Sequence, residues 1–232
     1  MQHPERAQTG ILVERAGRRV LVDCGAGVLH RLAGTEPGYE GVGTVLLTHH
    51  HLDHVSDLLA LLKARWLAGA EHLAVVGPPG TKALVDDLLD TFEYLRDRVD
   101  LRLREVRPGT FELGGFDVRA RETRHSTDGL AYRFDDEFTF SSDTEAFAGM
   151  GAFADGCSVL AHDCSFPDDV DVSGHPTPTR LGESLAGVDV DRVYLTHLYP
   201  QTDGRHGEMV AAVEARADAD VRVARDGLRV EC

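Results

Sequence analysis

Lysine is almost missing from this chain. Lys63 and Lys82 are the only two in 232 residues, and Ile11 is the sole isoleucine. Basic side chains number 24 against 39 acidic ones, a formal net charge of −15. A general affinity for nucleic acid or an anionic membrane, which rests on neutralising phosphates with basic side chains, is therefore not built into the surface, although a local basic patch stays open. An acidity dominated by Asp reads as surface adaptation to a salt-rich cytoplasm and a GC-rich genome. No Cys-x-x-Cys pair occurs, and Cys24, Cys157, Cys164 and Cys232 offer no framework suited to disulfides. Cys24 and Cys157 sit in or beside apolar runs and read as buried thiols, and no cysteine is assigned to a metal. There is no low-complexity tract, no signal-peptide pattern after Met1, and no apolar run near the length needed to cross a bilayer. A soluble cytoplasmic protein with no membrane partner is the expectation. With 42% hydrophobic content and no dividing linker, residues 1–232 read as a single domain.

What the chain does have is TVLLTHHHLDH at 44–54. An apolar β-type run ends in His49, His50, His51, Asp53 and His54, and the amphipathic stretch HVSDLLALLKARW follows at once. That order sets a polar cluster at the carboxyl end of a buried strand, where a helix begins. Alternate side chains of an extended segment share a face, so His49 and His51 can point together, with Asp53 and His54 beyond the turn. His50 points away from that pair. A solvated His-rich turn is the bland alternative, but imidazole and carboxylate at this spacing are the donor types that borderline divalent metals select.

Around this turn the pattern is layered α/β. ILVERAGRRVLVDCG reads as two strands joined at Ala16-Gly17, and Asp23 either partners a metal-bound histidine or caps the turn at Gly25. Val55, Leu58, Leu59, Leu62 and Trp66 form one apolar helical stripe, LAVVG at 73–77 a buried strand, and 81–98 a helix after Pro78-Pro79-Gly80. From Leu101 to Ser142, LRLREV, TFEL, FDVRARETRH, LAYRF and FTFSS read as an antiparallel meander, with His125 closing one strand and Asp143 following another. CSVLAHDCS is a further buried strand that ends in His162 and Asp163, and Thr177-Pro178 opens a helix. VYLTH at 193–197 echoes VLLTH at 45–49, a weak repeat suggesting two similar β-rich halves that face each other. A last helix near 207–217 and strands VRVA and LRVE complete the chain. His3, His30, His72 and His206 read as surface residues, and His162 is either a satisfied core histidine or a functional one.

The candidates His49, His51, Asp53, His54, His125, Asp143 and His197 thus lie at or beyond strand ends, and five histidines with two aspartates suffice for two ions. In order and spacing they resemble the motifs of the metallo-β-lactamase superfamily. HSTDGLAYRF, SSDT, AHDCSF and GHPTP are similar to elements of its ribonuclease Z and phosphodiesterase branch, with Asp163 standing where that branch has glutamate. The resemblance runs from about Thr9 to His197 and implies a four-layer αββα sandwich of two mixed β-sheets. It implies that His49, His51 and His125 hold one metal, that Asp53, His54 and His197 hold the other, and that Asp143 bridges them. The family's opening strand and Gly-Thr-Gly loop should precede ERAQTG, so either an edge strand is missing or the start at Met1 is internal. Only 17 residues separate His125 from Asp143, which leaves no room for the long arm that grips transfer RNA.

The expected activity is that of a dinuclear hydrolase, with a metal-bound hydroxide attacking a phosphodiester and the cations taking up charge on the phosphoryl oxygen. The ions are expected to be Zn2+, with Mn2+ or Fe2+ as alternatives. Asp53 both binds metal and orients the nucleophile. His175 either protonates the leaving alkoxide or plays a loop-and-cap role beside Pro176; Asp163 either orients His175 or ends its strand. A small-molecule or nucleotide ester is the expected substrate, with tRNA disfavoured, and a homodimer the expected assembly. Other readings are a hydrolase of carboxylic esters, thioesters or lactones at the same metals, a non-catalytic binding domain, and a diiron redox protein. Relatives of the last kind resemble His-x-Glu-x-Asp-His, and His51 occupies their glutamate position.

Overall fold

In the computed structural model, which describes residues 5–170 and 172–232, the first alternating segment folds into a hairpin. Strands β1 (Ile11–Arg15) and β2 (Arg18–Val22) pair antiparallel. Ala16 and Gly17 turn between them at φ 50° and 79°, the left-handed pair that matches the twist of a two-residue hairpin. His3 lies outside the described residues. The chain divides into two compact units: one runs to Arg107 and takes in Leu113–Gly115, the other comprises Pro108–Glu112 and Phe116–Cys232.

In the first unit, helix α1 (Val28–Ala33) follows β2, and β3 (Thr44–Leu46) leads through the histidine turn into α2 (Leu52–Val55) and α3 (Leu58–Leu67). Strand β4 (His72–Gly77), helix α4 (Thr81–Thr91) and strand β5 (Asp100–Glu105) complete it. The sheet order is β1-β2-β3-β4-β5, parallel from β2 onward. Val45, Leu46, Leu73, Val75 and Val76 are buried, as expected of central parallel strands covered on both faces.

Three expectations need correction here. LRLREV is not part of the later meander: as β5 it runs parallel to β4 at the sheet edge, where its outer face stays exposed and so mimics the alternation of an antiparallel strand. The helix after His54 breaks and restarts, because the Asp57 amide donates to the Cys24 carbonyl at 2.9 Å and Asp57 Oδ2 accepts from the Leu29 amide at 3.0 Å. The restart turns the buried stripe to Leu58, Leu61, Leu62 and Arg65, leaving Leu59 and Trp66 only half-buried. Arg65 is tolerated there because its guanidinium donates to the carbonyls of Tyr39, Glu40 and His72. The helix from Thr81 stops at Thr91, giving way to a single tight turn at Glu93–Leu95.

The second unit holds β6 (Gly109–Leu113) except its last residue, β7 (Phe116–Glu122), β8 (Leu130–Phe134) and β9 (Phe138–Phe140), then α5 (Ala148–Ala154), β10 (Cys157–Asp163), α6 (Pro178–Ser184), β11 (Val190–Thr196), α7 (His206–Glu214) and β12 (Asp220–Val223). Their order is β12-β11-β10-β9-β8-β7-β6, antiparallel from β7 to β9 and parallel from β9 to β12. The expected strand at LRVE is absent, since residues 228–231 are irregular. The Tyr-Arg pair of LAYRF serves the core: Tyr132 is buried, and Arg133 donates to the Phe153 and Asp155 carbonyls at the end of α5. Among the described residues no helix is long and apolar enough to cross a membrane.

Candidate metal centre

Each unit carries its own set of candidate metal donors at the carboxyl ends of its strands. In the first, β3 delivers Thr48, His49 and His50, and His51 is the N-cap of α2, so that Asp53 and His54 fall in that helix's first turn. His49 Nε2 and His51 Nδ1 lie 3.1 Å apart. Two donors bound to one tetrahedral ion at about 2.0–2.1 Å would lie roughly 3.3–3.4 Å apart, so this spacing suits a shared cation. Asp53 Oδ2 lies 4.0 Å from His54 Nε2.

The protonation pattern behind these atoms is set by Asp23, whose side chain is fully buried. Its Oδ1 accepts the Thr48 amide at 2.7 Å, and its Oδ2 accepts the Thr48 hydroxyl at 2.8 Å and His54 Nδ1–H at 2.7 Å. A carboxylate can only accept, so the proton of neutral His54 sits on Nδ1 and its Nε2 bears the lone pair. Thr48, its own proton spent on Asp23, accepts from His49 Nδ1–H at 3.0 Å, with the same consequence at His49 Nε2. Of the two roles open to Asp23, the structure places it as the partner of His54. His50 stands apart: its Nε2–H donates to Thr81 Oγ1 at 2.9 Å, and Thr81 Oγ1 donates in turn to the Pro78 carbonyl. Burial holds the His50 pKa below the usual imidazole value, against smaller upward pulls from Glu105 and Asp23.

In the second unit, His125 lies three residues beyond β7, Asp143 three beyond β9, and His197 follows β11 directly. Asp143 Oδ2 is 3.2 Å from His197 Nε2 and 3.9 Å from His125 Nε2. His125 Nδ1–H donates to the Gly174 carbonyl at 3.1 Å, which again assigns the lone pair to Nε2. Asp163, buried at the end of β10, brings two further candidates together: its Oδ2 accepts His175 Nδ1–H at 2.7 Å, and its Oδ1 accepts the Ser165 hydroxyl at 2.5 Å. Ser165 Oγ then accepts His197 Nδ1–H at 2.9 Å. Donor atoms of Asp163, His175 and His197 all lie within 4.8 Å of one another. The rings of His175 and His197 stack at 5.3 Å, beside Phe166 and Tyr199.

Thr48, Ser165 and the Gly174 carbonyl were not singled out from the sequence. Thr48 carried a signal in the repeated Thr-His pair, and Ser165 in its place two residues after Asp163; a backbone carbonyl carries none. His162 is buried and donates Nδ1–H to the Asp163 carbonyl at 2.7 Å, which places it in the core. His30 and His72 are exposed as expected, while His206 is half-buried. Cys24, Cys157 and Cys164 are buried, and burial pushes all three thiols up, which keeps them protonated and unsuited to metal.

A family profile described as beta-lactamase superfamily domain matches residues 18–198. Ribonuclease Z of Mycobacterium avium is 30% identical, over 92% of this chain and 87% of its own. Among solved structures, the metallo-beta-lactamase fold protein YhfI of Bacillus subtilis superposes with a TM-score of 0.84 at 24% identity, covering 98% of this chain and 92% of its own. The short form of human tRNase Z does so at 0.76 and 17% identity, over 97% and 93%. Two mixed sheets with their helices are thus the metallo-β-lactamase fold. The chain belongs to the beta-lactamase superfamily, in its ribonuclease Z-like branch of metal-dependent hydrolases.

Proposed function

We propose that the two donor sets serve one pair of divalent cations, most simply Zn2+, and that the protein hydrolyses a phosphodiester. In this reading His49, His51 and His125 hold one ion, Asp53, His54 and His197 the other, and Asp143 joins them, all within a single functional domain. The observation that carries it is the proton pattern. In His49, His54, His125 and His197 the Nδ1 proton ends on a fixed acceptor, which prepares every Nε2 as a ligand. Nitrogen and carboxylate donors without thiolate suit Zn2+ at a catalytic site, with Mn2+ and Fe2+ as alternatives.

Bound divalent cations supply a water that ionises near neutral pH and a counter-charge for the phosphoryl oxygens. The remaining tasks fall to side chains. Asp163 fixes the His175 ring through Nδ1 and stabilises its doubly protonated form, so that Nε2–H can be delivered to the leaving alkoxide. Ser165 ties the same carboxylate to His197, so ligand and proton donor share one buried anchor. Asp53 orients the nucleophile from the first turn of α2. The relatives' ribonuclease activity favours an RNA or nucleotide ester. The 17 residues between His125 and Asp143 are filled by β8, β9 and their turns, which supports a short substrate over one gripped by a long arm. Assembly as a homodimer in the cytoplasm belongs to the same proposal.

Metal analysis of the purified protein combined with a panel of bis(p-nitrophenyl) phosphate, a thioester and a lactone tests it. The expected result is two equivalents of metal and turnover of the phosphodiester that is lost on chelation and restored by Zn2+ or Mn2+. Turnover of the lactone or thioester alone would overturn the phosphodiesterase assignment.

A further inference from the structure

Arg121, in β7, and Arg124, just beyond it, share one aromatic ring. The guanidinium carbon of Arg124 lies 4.1 Å from the centroid of Phe147, and that of Arg121 lies 5.6 Å away. Gly149, in the first turn of α5, makes the arrangement fit: a Cβ there would collide with Arg121 Nη2 and come within 2.9 Å of the Phe147 ring. Arg19, Arg96, Arg102, Arg205 and Arg222 each hold a carboxylate. Among the described residues, Arg121 and Arg124 hold none. Two neighbouring guanidiniums left unneutralised run against the bias of a chain with 39 acidic and 24 basic side chains.

Their place in the unit gives the pair a use. The Arg124 amide donates to Thr144 Oγ1 and its carbonyl accepts the Glu145 amide, both at 2.9 Å. These bonds join the segment that carries His125 to the one that carries Asp143 and Phe147. Arg124 itself is exposed and Arg121 half-buried behind it. A guanidinium stacked on a ring face is fixed in orientation while its edge keeps a fork of N–H donors, the geometry that meets phosphate oxygens two at a time.

We propose that Arg124, with Arg121 over the same Phe147 ring, forms an anion subsite that holds a second phosphate beside the scissile one. The preferred substrate is then a phosphodiester with a flanking phosphate group, such as a 5′-phosphorylated nucleotide chain. This inference rests on the phosphodiesterase reading above.

The test compares the metal-loaded full-length protein on two thymidine dinucleotides that share the same internal linkage, one with a 5′-terminal phosphate and one without. For a charge-assisted, solvent-exposed contact the phosphorylated substrate should show a KM about two- to fivefold lower. Arg124→Ala should erase that advantage, Arg124→Lys should keep part of it, and Arg102→Ala, elsewhere on the surface, should leave it intact. No preference in the unaltered protein would overturn the proposal. So would an Arg124→Ala variant that loses bound metal and slows on both substrates alike, for the arginine would then merely brace the His125 loop. If neither dinucleotide is cleaved, turnover of bis(p-nitrophenyl) phosphate still decides the phosphodiesterase reading, and calorimetric binding of inorganic pyrophosphate to the same metal-loaded proteins decides the subsite. Binding weakened about two- to fivefold by Arg124→Ala sustains it, and equal binding refutes it.

Discussion

Asp23→Asn is the substitution that most sharply separates metal preparation from simple packing. The side chain is fully buried and accepts three hydrogen bonds at 2.7–2.8 Å, from the Thr48 amide, the Thr48 hydroxyl and His54 Nδ1. Asparagine has nearly the same shape, but one acceptor oxygen is replaced by an NH2 that only donates. If its oxygen stays with the Thr48 amide, the NH2 faces the Thr48 hydroxyl and His54 Nδ1. His54 must then give up its Nδ1 proton and carry one on Nε2, the atom proposed to bind metal. Loss of an acceptor behind a ligating histidine costs about 10–100-fold in metal affinity, or roughly 1.4–2.8 kcal/mol. The metal-free fold should lose less per bond, about 1 kcal/mol for each charged hydrogen bond made neutral. Asp23→Ala should be harsher, since it leaves a buried amide and a ring nitrogen without acceptor at about 1–3 kcal/mol each. Zinc affinity is to be measured by competition with a chromophoric chelator, and stability by urea unfolding of chelator-treated protein. Zinc affinity of Asp23→Asn within twofold of the unaltered protein would refute the assignment of Asp23 as the proton acceptor that prepares His54.

Gly25→Ala should also weaken the first donor set, because a Cβ at Gly25 runs into the Asp53 carbonyl oxygen and approaches Gln8 Cβ to 2.8 Å. An overpacking cost of about 1–3 kcal/mol with reduced metal retention is expected, and an unaltered urea midpoint would contradict it. Replacing His175 by Ala should lower kcat by about 10²–10⁴ on a diester with an alkoxide leaving group, but far less on a p-nitrophenyl ester, whose leaving group needs no proton. Equal losses on both would deny His175 the role of acid. His162 supplies a pH test. Burial holds its pKa below the ordinary imidazole value of 6.5, so below that pH the unfolded chain binds a proton that the folded chain resists. Stability is therefore full above pH 6.5 and falls as pH drops toward the folded value, by about 1.4 kcal/mol per unit. In chelator-treated protein, His162→Asn should flatten the fall in urea midpoint between pH 7.5 and 5.5 relative to the unaltered chain, and parallel profiles would count against it.

The histidine turn was legible because its donors are packed into six residues and the strand before it is uniformly apolar. His125, Asp143 and His197 could be found only as polar residues just past predicted strands, ordered as in a known superfamily. What failed did so where distant backbone decides. The phase of the helix after His54 follows from a carbonyl at Cys24 and an amide at Leu29, which no periodicity within 54–66 contains. The edge strand β5 alternates because one face is uncovered, and alternation alone cannot tell a parallel edge from an antiparallel hairpin. The same limit applies to the site. A sequence names the histidines, but which nitrogen each one offers is fixed by its proton acceptor. For His54 that acceptor is 31 residues away, for His197 32, and for His125 49. Asp23, Ser165 and the Gly174 carbonyl therefore determine the chemistry as much as the donors do. A chain that kept all seven candidate donors but lost those acceptors would still show the motif, and its histidines would no longer be held in the tautomers that present Nε2 as a lone-pair donor.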